Sequence, residues 1–343
     1  MGASEPSVPR RVQPVYSTIA AQDIAEEVAS AYDLGPVAAC ELIRRGFNDV
    51  YLVSLASGDR CIARLATLRA RGPANSAFEA AFLEHLKACS VAVAAPIRDS
   101  SGQAWRTLEA PEGLRDLIVF EHLDGEPPRA DLADIARMGE ELARIHQAGE
   151  TYSGPPSLYG FGLPDLHNRP LAWLLTASPL DGELSAEFAA IADRLAQRIS
   201  KAPALSPGIC HGDCHGGNTH MIQRPDGARK AAFFDFDDAG PGYLAFDLAL
   251  YLWALLHHLG AQELDAKTGE AWSYFIDGYR RVRDILTADY MAISMFVNFR
   301  QLWFLGEYAS RIPQWGLTTL SHSWLTRQLK LLQGWEDLTT PPT

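Results

Sequence analysis

The stretch from Cys210 to Leu248, CHGDCHGGNTHMIQRPDGARKAAFFDFDDAGPGYLAFDL, constrains this chain more than any other. Two short acidic motifs stand in it, about one hairpin apart. The first is His211-Gly212-Asp213-Cys214-His215-Gly216-Gly217-Asn218, the second Phe234-Asp235-Phe236-Asp237-Asp238. Between them, Met221 to Ile222 and Ala231 to Phe234 read as two short strands, and Pro225-Asp226-Gly227 as the turn joining them. Such a unit folds its ends back together, so Asp213 and Asn218 are expected close to Asp235. Oxygen ligands from a carboxylate and an amide suit Mg²⁺, which keeps several waters and binds substrate phosphates. A second carboxylate nearby can orient a hydroxyl nucleophile and take its proton. The competing reading is a zinc site at His211, Asp213 and His215. Histidines four apart ligate zinc on a helix, but Gly212, Gly216 and Gly217 disfavour a helix, and Cys210 and Cys214 do not form a C-x-x-C pair.

An Asp, an Asn five residues on and an Asp in the next motif reproduce the division of labour among kinases. The H-G-D-x-H-x-x-N motif followed by D-F-D-D resembles the aminoglycoside phosphotransferase and choline kinase superfamily, whose fold is similar to that of protein kinases. Within it, the motif is most similar to the group holding stress response kinase A and homoserine kinase-like proteins. The resemblance runs from about residue 35 to about residue 310. It implies an α+β, protein-kinase-like fold of two lobes, a small β-rich N-lobe and a mainly helical C-lobe. The expected divisions are a disordered leader over 1–14, an N-lobe over 15–124, a hinge near 121–126 and a C-lobe over 125–338. Asp213 would be the catalytic base, with Asn218 and Asp235 on the metal. His211 and Asp247 would support the catalytic loop.

The N-terminal third is expected to hold the nucleotide. Ala38 to Ile43, Val50 to Leu55 and Arg60 to Leu65 read as strands, with backbone N–H groups near Asn48 over the phosphates. Arg64 takes the place of the phosphate-binding lysine on the third strand; no lysine precedes Lys87. An arginine holds phosphate oxygens bidentately and stays charged. Glu79, beside the apolar face Phe78, Phe82, Leu83 and Leu86 of the next helix, is its expected partner in preference to Glu84. Val91 to Ile97, Trp105 to Glu109 and Asp116 to His122 complete the sheet, and Glu121 and Leu123 offer backbone groups to the adenine.

The second part reads as helices over 130–148, 171–175, 183–199, 247–258, 271–283, 289–310 and 322–335, with a long Gly/Pro/Tyr-rich loop over 150–170. His146 is expected as a satisfied core histidine. Arg300, Trp303 and Glu307 fall on neighbouring helix faces, and an aromatic with an acid suits a cationic substrate. Plain packing of the lobe explains the same residues equally well.

Net charge is −12, and residues 1–124 and the remainder carry −4 and −8. With neither part basic, a nucleic-acid partner is not expected. Five scattered cysteines suggest free thiols in a reducing compartment. The N-terminus has no signal-peptide pattern and no apolar run reaches the length of a bilayer span, so the expectation is a cytoplasmic protein without a membrane partner. The function expected is transfer of a γ-phosphate from ATP, with GTP as the alternative nucleotide and Mg²⁺ as the metal. The acceptor would be a small-molecule hydroxyl on an aminoglycoside-like compound, an amino alcohol or a sugar. A protein serine/threonine kinase of the stress response kinase A type is the alternative, disfavoured by the short link from Phe236 to Gly242 and the lack of an activation loop. A nucleotide-binding pseudokinase is the non-enzymatic alternative; Asp213, Asn218 and Asp235 together count against it.

Overall fold

Side chains of one strand alternate between two apolar layers, and this sets the first lobe. The computed structural model describes residues 10, 12–129, 131–177, 180–223 and 227–342, with only the backbone described at 319. Most of the expected leader over 1–14 therefore lies outside the described residues. Strands β1 (Val37–Arg45), β2 (Asn48–Leu55), β3 (Arg60–Ala66), β4 (Arg106–Ala110) and β5 (Gly113–Glu121) form one antiparallel sheet in the order β1-β2-β3-β5-β4. Tyr51, Val53 and Leu55 on β2 point to one side with Cys61, Ala63 and Leu65. There they meet Ile24, Val28 and Ala31, one stripe of helix α1 (Ala21–Ala31). Helix α2 (Ser76–Ala88) belongs to the larger core through Phe78, Phe82, Leu83 and Leu86. Within the first lobe Arg115 is fully buried, donating to Asp49 at 2.8 Å and to the carbonyls of Ser17 and Ala66 at 2.9 and 2.7 Å.

One expected strand does not form. Residues 91–97 form only two isolated bridges, Pro96 to Phe120 of this sheet and Val93 to Phe233 of the strand that precedes the second motif. Pro96 has no N–H to give a ladder, and the flanking bonds run from Ile97 N–H to Val119 and from Glu121 N–H to Ala95.

Beyond β5 the chain passes directly to the motif hairpin. The short strand β6 (Gly125–Glu126) comes next; β7 (Pro207–Cys210), β8 (Thr219–Gln223), β9 (Arg229–Phe233) and β10 (Gly240–Tyr243) follow later in the chain. β8 pairs with both β6 and β9, and β7 pairs with β10. The two strands predicted between the motifs are thus β8 and β9; the first two residues of the predicted turn, 225 and 226, lie outside the described residues.

The remainder is mostly helical: α3 (Leu132–Gly149), α4 (Arg169–Leu175), α5 (Gly182–Ser200), α6 (Leu244–Leu259), α7 (Ala266–Arg280), α8 (Thr287–Ser310), α9 (Ile312–Trp315) and α10 (His322–Trp335). Aspartate side chains cap α3, α5 and α7, and Ser321 caps α10. Helix α6 is apolar nearly all round and sits inside the lobe against α8. Among the described residues no helix is long and apolar enough to cross a membrane. All five cysteines are free thiols.

Helices α3 and α7 meet at backbone distance through two glycines. A Cβ on Gly139 would stand 2.0 Å from the Phe275 carbonyl oxygen, and one on Gly278 would stand 2.0 Å from that of Ala136. Neither obstacle is a flexible side chain, so the helices must separate to admit a methyl. Gly139→Ala and Gly278→Ala are each expected to destabilise the protein by about 2 kcal/mol or more, read as a lower urea midpoint, although alanine is the better helix former.

Candidate active site

The loop between β7 and β8 carries the first motif, and a buried carboxylate on another element holds its shape. Asp247, in the first turn of α6, accepts from the backbone N–H of His211 at 2.6 Å and of Gly212 at 2.9 Å. Its remaining bond comes from His146, 2.9 Å away on α3, whose other ring nitrogen lies 2.8 Å from the Tyr279 hydroxyl. All three residues, His146, His211 and Asp247, are buried. Gly212 has φ +85°, and a Cβ there would meet the Phe161 ring at 2.3 Å, so this motif position requires glycine. His211 lies 4.2 Å from the Phe236 ring, centroid to centroid. One ring nitrogen accepts from the Asp213 N–H at 3.1 Å and the other lies 3.2 Å from the Phe234 carbonyl. Both nitrogens are thus occupied by the backbone, which removes the zinc arrangement. Among the described residues no group of three or more His, Cys, Asp or Glu side chains is placed to hold a metal.

The loop presents Asp213 to the cleft. Asn218 donates from its amide nitrogen to the Asp213 carboxylate at 2.8 Å and to its carbonyl at 3.0 Å. His215 lies 3.3 Å from the same carboxylate, and Arg300 on α8 closes on the other oxygen. Burial works to raise the Asp213 carboxyl, but Arg300 and His215 outweigh it and hold it well below the usual carboxylate range. The second motif is tied to the first where the Phe234 N–H donates to the Asn218 carbonyl at 3.1 Å. The next residue, Asp235, adopts φ +67°, a left-handed conformation that Asp tolerates better than bulkier residues. One of its oxygens faces Arg64 at 3.2 Å.

Arg64 and Glu79 form a bidentate pair, one bond at 2.8 Å and a shorter one beside it, with both side chains almost fully buried. Glu84 instead turns outward to Arg98. Asn48 donates from its side-chain amide to Asp237 at 2.8 Å. Beside it, Phe47 packs edge-on against Tyr308 and Trp315, 5.9 and 5.0 Å away, which lays the β1–β2 turn on the second lobe.

Sequence reasoning missed Arg69 and Arg71. Arg69 reaches Asp237 at 3.2 Å, Asp238 at 3.0 Å and Glu307 at 3.0 Å, and Arg71 pairs with Asp238. Glu307 is therefore committed to an arginine of the first lobe. Two arginines spaced by one residue after β3, in a chain with two unassigned aspartates after Asp235, were the available signal.

Two cavities flank this cluster. One of about 350 Å³ is lined by Val50, Leu52, Ile62, Phe120, Leu123 and Phe234, with Arg64 and Asp235 also on its wall. Glu121 and Leu123 border it, although the Leu123 carbonyl already faces a His220 ring nitrogen at 3.3 Å. The other, about 190 Å³, lies among Asp213, Arg300, Trp253, Trp303, Phe304 and Tyr308. A larger hollow of about 880 Å³ between α3 and β9 lies away from both motifs. Its cations Arg137, Arg229, Lys230 and Arg281 are paired with Asp134, Glu140 and Glu141.

The donor set suits a hard divalent cation. Both bonds made by the Asn218 amide use its nitrogen, which leaves its oxygen available, and Asp235 has one oxygen without a donor among the described residues. Burial and then the Asp237 charge push Asp235 up to about 7 against the pull of Arg64. Negative charge is left undercompensated there, the condition that a cation relieves.

Residues 39–285 match the model of the phosphotransferase enzyme family. The chain belongs to that family. An uncharacterized protein of Deinococcus radiodurans is 35% identical over 329 residues, 94% of this chain and 92% of its own length. A homoserine kinase of Paramagnetospirillum magneticum is 28% identical over 297 residues, 85% of this chain and 86% of its own. The fold is that of small-molecule kinases. The structure of amicoumacin kinase hAmiN in complex with AMP-PNP, Ca²⁺ and Ami superposes with a TM-score of 0.72 at 20% identity, covering 94% of this chain and 95% of its own. That of a microcompartment-associated aminopropanol kinase gives 0.69 at 22% identity, covering 92% and 95%.

In this phosphotransferase-family chain the loop of the first motif depends on Asp247 for two backbone bonds. Asp247→Ala leaves those N–H groups and His146 without an acceptor inside the core. A loss of about 3 kcal/mol or more is expected, measured by urea denaturation, with the near-ultraviolet spectrum showing whether the remaining core is intact.

Proposed function

We propose that the protein transfers the γ-phosphate of ATP to a hydroxyl of a small molecule, with Mg²⁺ as its metal. The nucleotide is held between an N-lobe of residues 15–124 and a C-lobe of residues 125–338. The observation that carries this reading is the convergence of Asp213, Asn218, Asp235 and the Arg64–Glu79 pair between an apolar cavity and a polar one. Adenine suits the apolar cavity beside Phe120 and Leu123. Arg64, oriented by Glu79, is the cation for phosphate oxygens.

Asn218 and Asp235 hold the metal, which when bound neutralises charge on the β- and γ-phosphates. Asp213 accepts a hydrogen bond from the acceptor hydroxyl and directs its oxygen at the γ-phosphorus. The new O–P bond forms as the bond to the β–γ bridging oxygen breaks. The hydroxyl proton passes to Asp213, and ADP leaves with the electron pair. A strongly basic carboxylate is not required, because phosphoryl transfer rests mainly on positioning and charge neutralisation. This is compatible with the depressed Asp213. The small volume of the acceptor cavity, about 190 Å³, favours a small molecule over a protein segment.

The test is ADP release with Mg²⁺ and a panel of hydroxyl compounds. Asp213→Ala is expected to lower turnover by at least about 10³-fold while AMP-PNP still raises the melting temperature. Asp235→Asn should remove the magnesium-dependent part of that rise. Turnover retained by Asp213→Ala would remove the base from the mechanism, and a nucleotide shift insensitive to metal in the wild type would remove Mg²⁺.

A further inference from the structure

The acceptor cavity has a feature unlike a pocket for an amine. One charged wall is Arg300, 4% exposed, lying against the Trp253 and Trp303 rings at 4.7 and 4.4 Å. Only one of its three nitrogens, Nη2, has a hydrogen-bond acceptor, Asp213; Nε and Nη1 are buried with none among the described residues. A guanidinium offers five N–H donors, and leaving most of them unmet in a buried place costs stability. Packing against two indoles does not replace these acceptors. Arg300 therefore keeps donors that an anionic group can meet.

The rest of the wall agrees. Glu307, the acid expected to attract a cationic acceptor, is held at 3.0 Å by Arg69. Asp237 and Asp238 are likewise paired with Arg69, and Arg71 closes on Asp238. Asp213 itself is needed for the hydroxyl. At the mouth, Arg44 is exposed, lines the same cavity and has no ion-pair partner among the described residues. An ammonium group entering here meets an unsatisfied cation in the interior and another at the rim; the one other carboxylate with a free oxygen on this wall, Asp235, is the one assigned above to the metal.

We infer that the acceptor is a hydroxy acid, whose carboxylate binds Arg300 beside the hydroxyl that Asp213 orients. This rests on the phosphotransfer reading above and adds the substrate class. Arg300 then has two tasks. It holds Asp213 ionised before the acceptor arrives, and it shares its charge with the incoming carboxylate. The acceptor's carboxylate and hydroxyl must lie within a few bonds of each other, since the same guanidinium touches the base. Placing the hydroxyl through a fixed carboxylate also orients the nucleophile.

The experiment compares matched probes on the AMP-PNP–Mg²⁺ complex of the full chain. The acids are glycerate, 4-hydroxybutanoate and L-homoserine. Their controls are the corresponding amides, together with 1-amino-2-propanol and ethanolamine. Binding is read by thermal shift and by Trp253/Trp303 fluorescence, and transfer by ADP release. At least one acid is expected to bind saturably and roughly 10- to 100-fold more tightly than its amide. In Arg300→Lys, which keeps a positive charge beside Asp213, that preference should fall toward unity through a raised KM, while the AMP-PNP shift persists and certifies the fold. Arg300→Gln gives the same comparison without the charge.

Acids and amides binding alike, amines binding in preference, or no acid binding at millimolar concentration while AMP-PNP binds would each overturn the inference and leave the phosphotransfer reading standing. An acid preference unchanged in both Arg300 variants would also overturn it. Loss of the nucleotide shift in the wild type would instead sink the phosphotransfer reading on which the inference stands.

Discussion

The candidate active site depends on one carboxylate that never faces the cleft. Asp247 is fully buried and accepts two backbone N–H groups from the catalytic loop and a third bond from His146. A free loop would spread over many conformations, and ordering each residue costs about 1–2 kcal/mol. Three bonds converging on one rigid helix turn offset that cost and give the loop a single shape. Gly212 permits the left-handed turn, β7 and β8 deliver the two ends of the loop, and the position of Asp213 follows.

A second constraint is electrostatic. Asp213, Asp235, Asp237, Asp238, Glu79 and Glu307 crowd one cleft, and Arg64, Arg69, Arg71 and Arg300 answer them. Buried charges are tolerable when paired and hydrogen-bonded. Pairing is uneven at two places: Asp235 meets Arg64 through one of its two oxygens, and Arg300 meets Asp213 through one of its three nitrogens. The first matches a metal between phosphate oxygens and the second a charged group on the acceptor.

Much of this was legible in the residue order because the motifs are local. Asp213, Gly212 and Asn218 lie within seven residues, and the hairpin bringing Asp235 to them follows from turn chemistry and two short apolar runs. The choice of Glu79 over Glu84 followed from helix periodicity, and only Glu79 meets Arg64. What was not legible depends on contacts between distant segments. Nothing local links Arg69 to Glu307, 238 residues later, or Arg300 to Asp213. Aromatic residues beside an acid suggested a cation site at Trp303 and Glu307. The fold turns that acid to an arginine and fills the aromatic slot with Arg300. The strand expected over 91–97 failed for a local reason, since Pro96 interrupts the ladder.

Arg69 and Arg71 come from the first lobe, and their carboxylate partners follow Asp235 by only two and three residues. The peptide that carries Asp235, the proposed metal ligand, is therefore also the clasp between the lobes. Widening the cleft draws these ions apart in a medium of low polarity, where separation is costly. Water or dissolved counter-ions must enter before the clasp yields. On the proposed phosphotransfer reading, escape of a spent nucleotide and wetting of a buried ionic seam become one event, and the seam works as a timing element beside the candidate site.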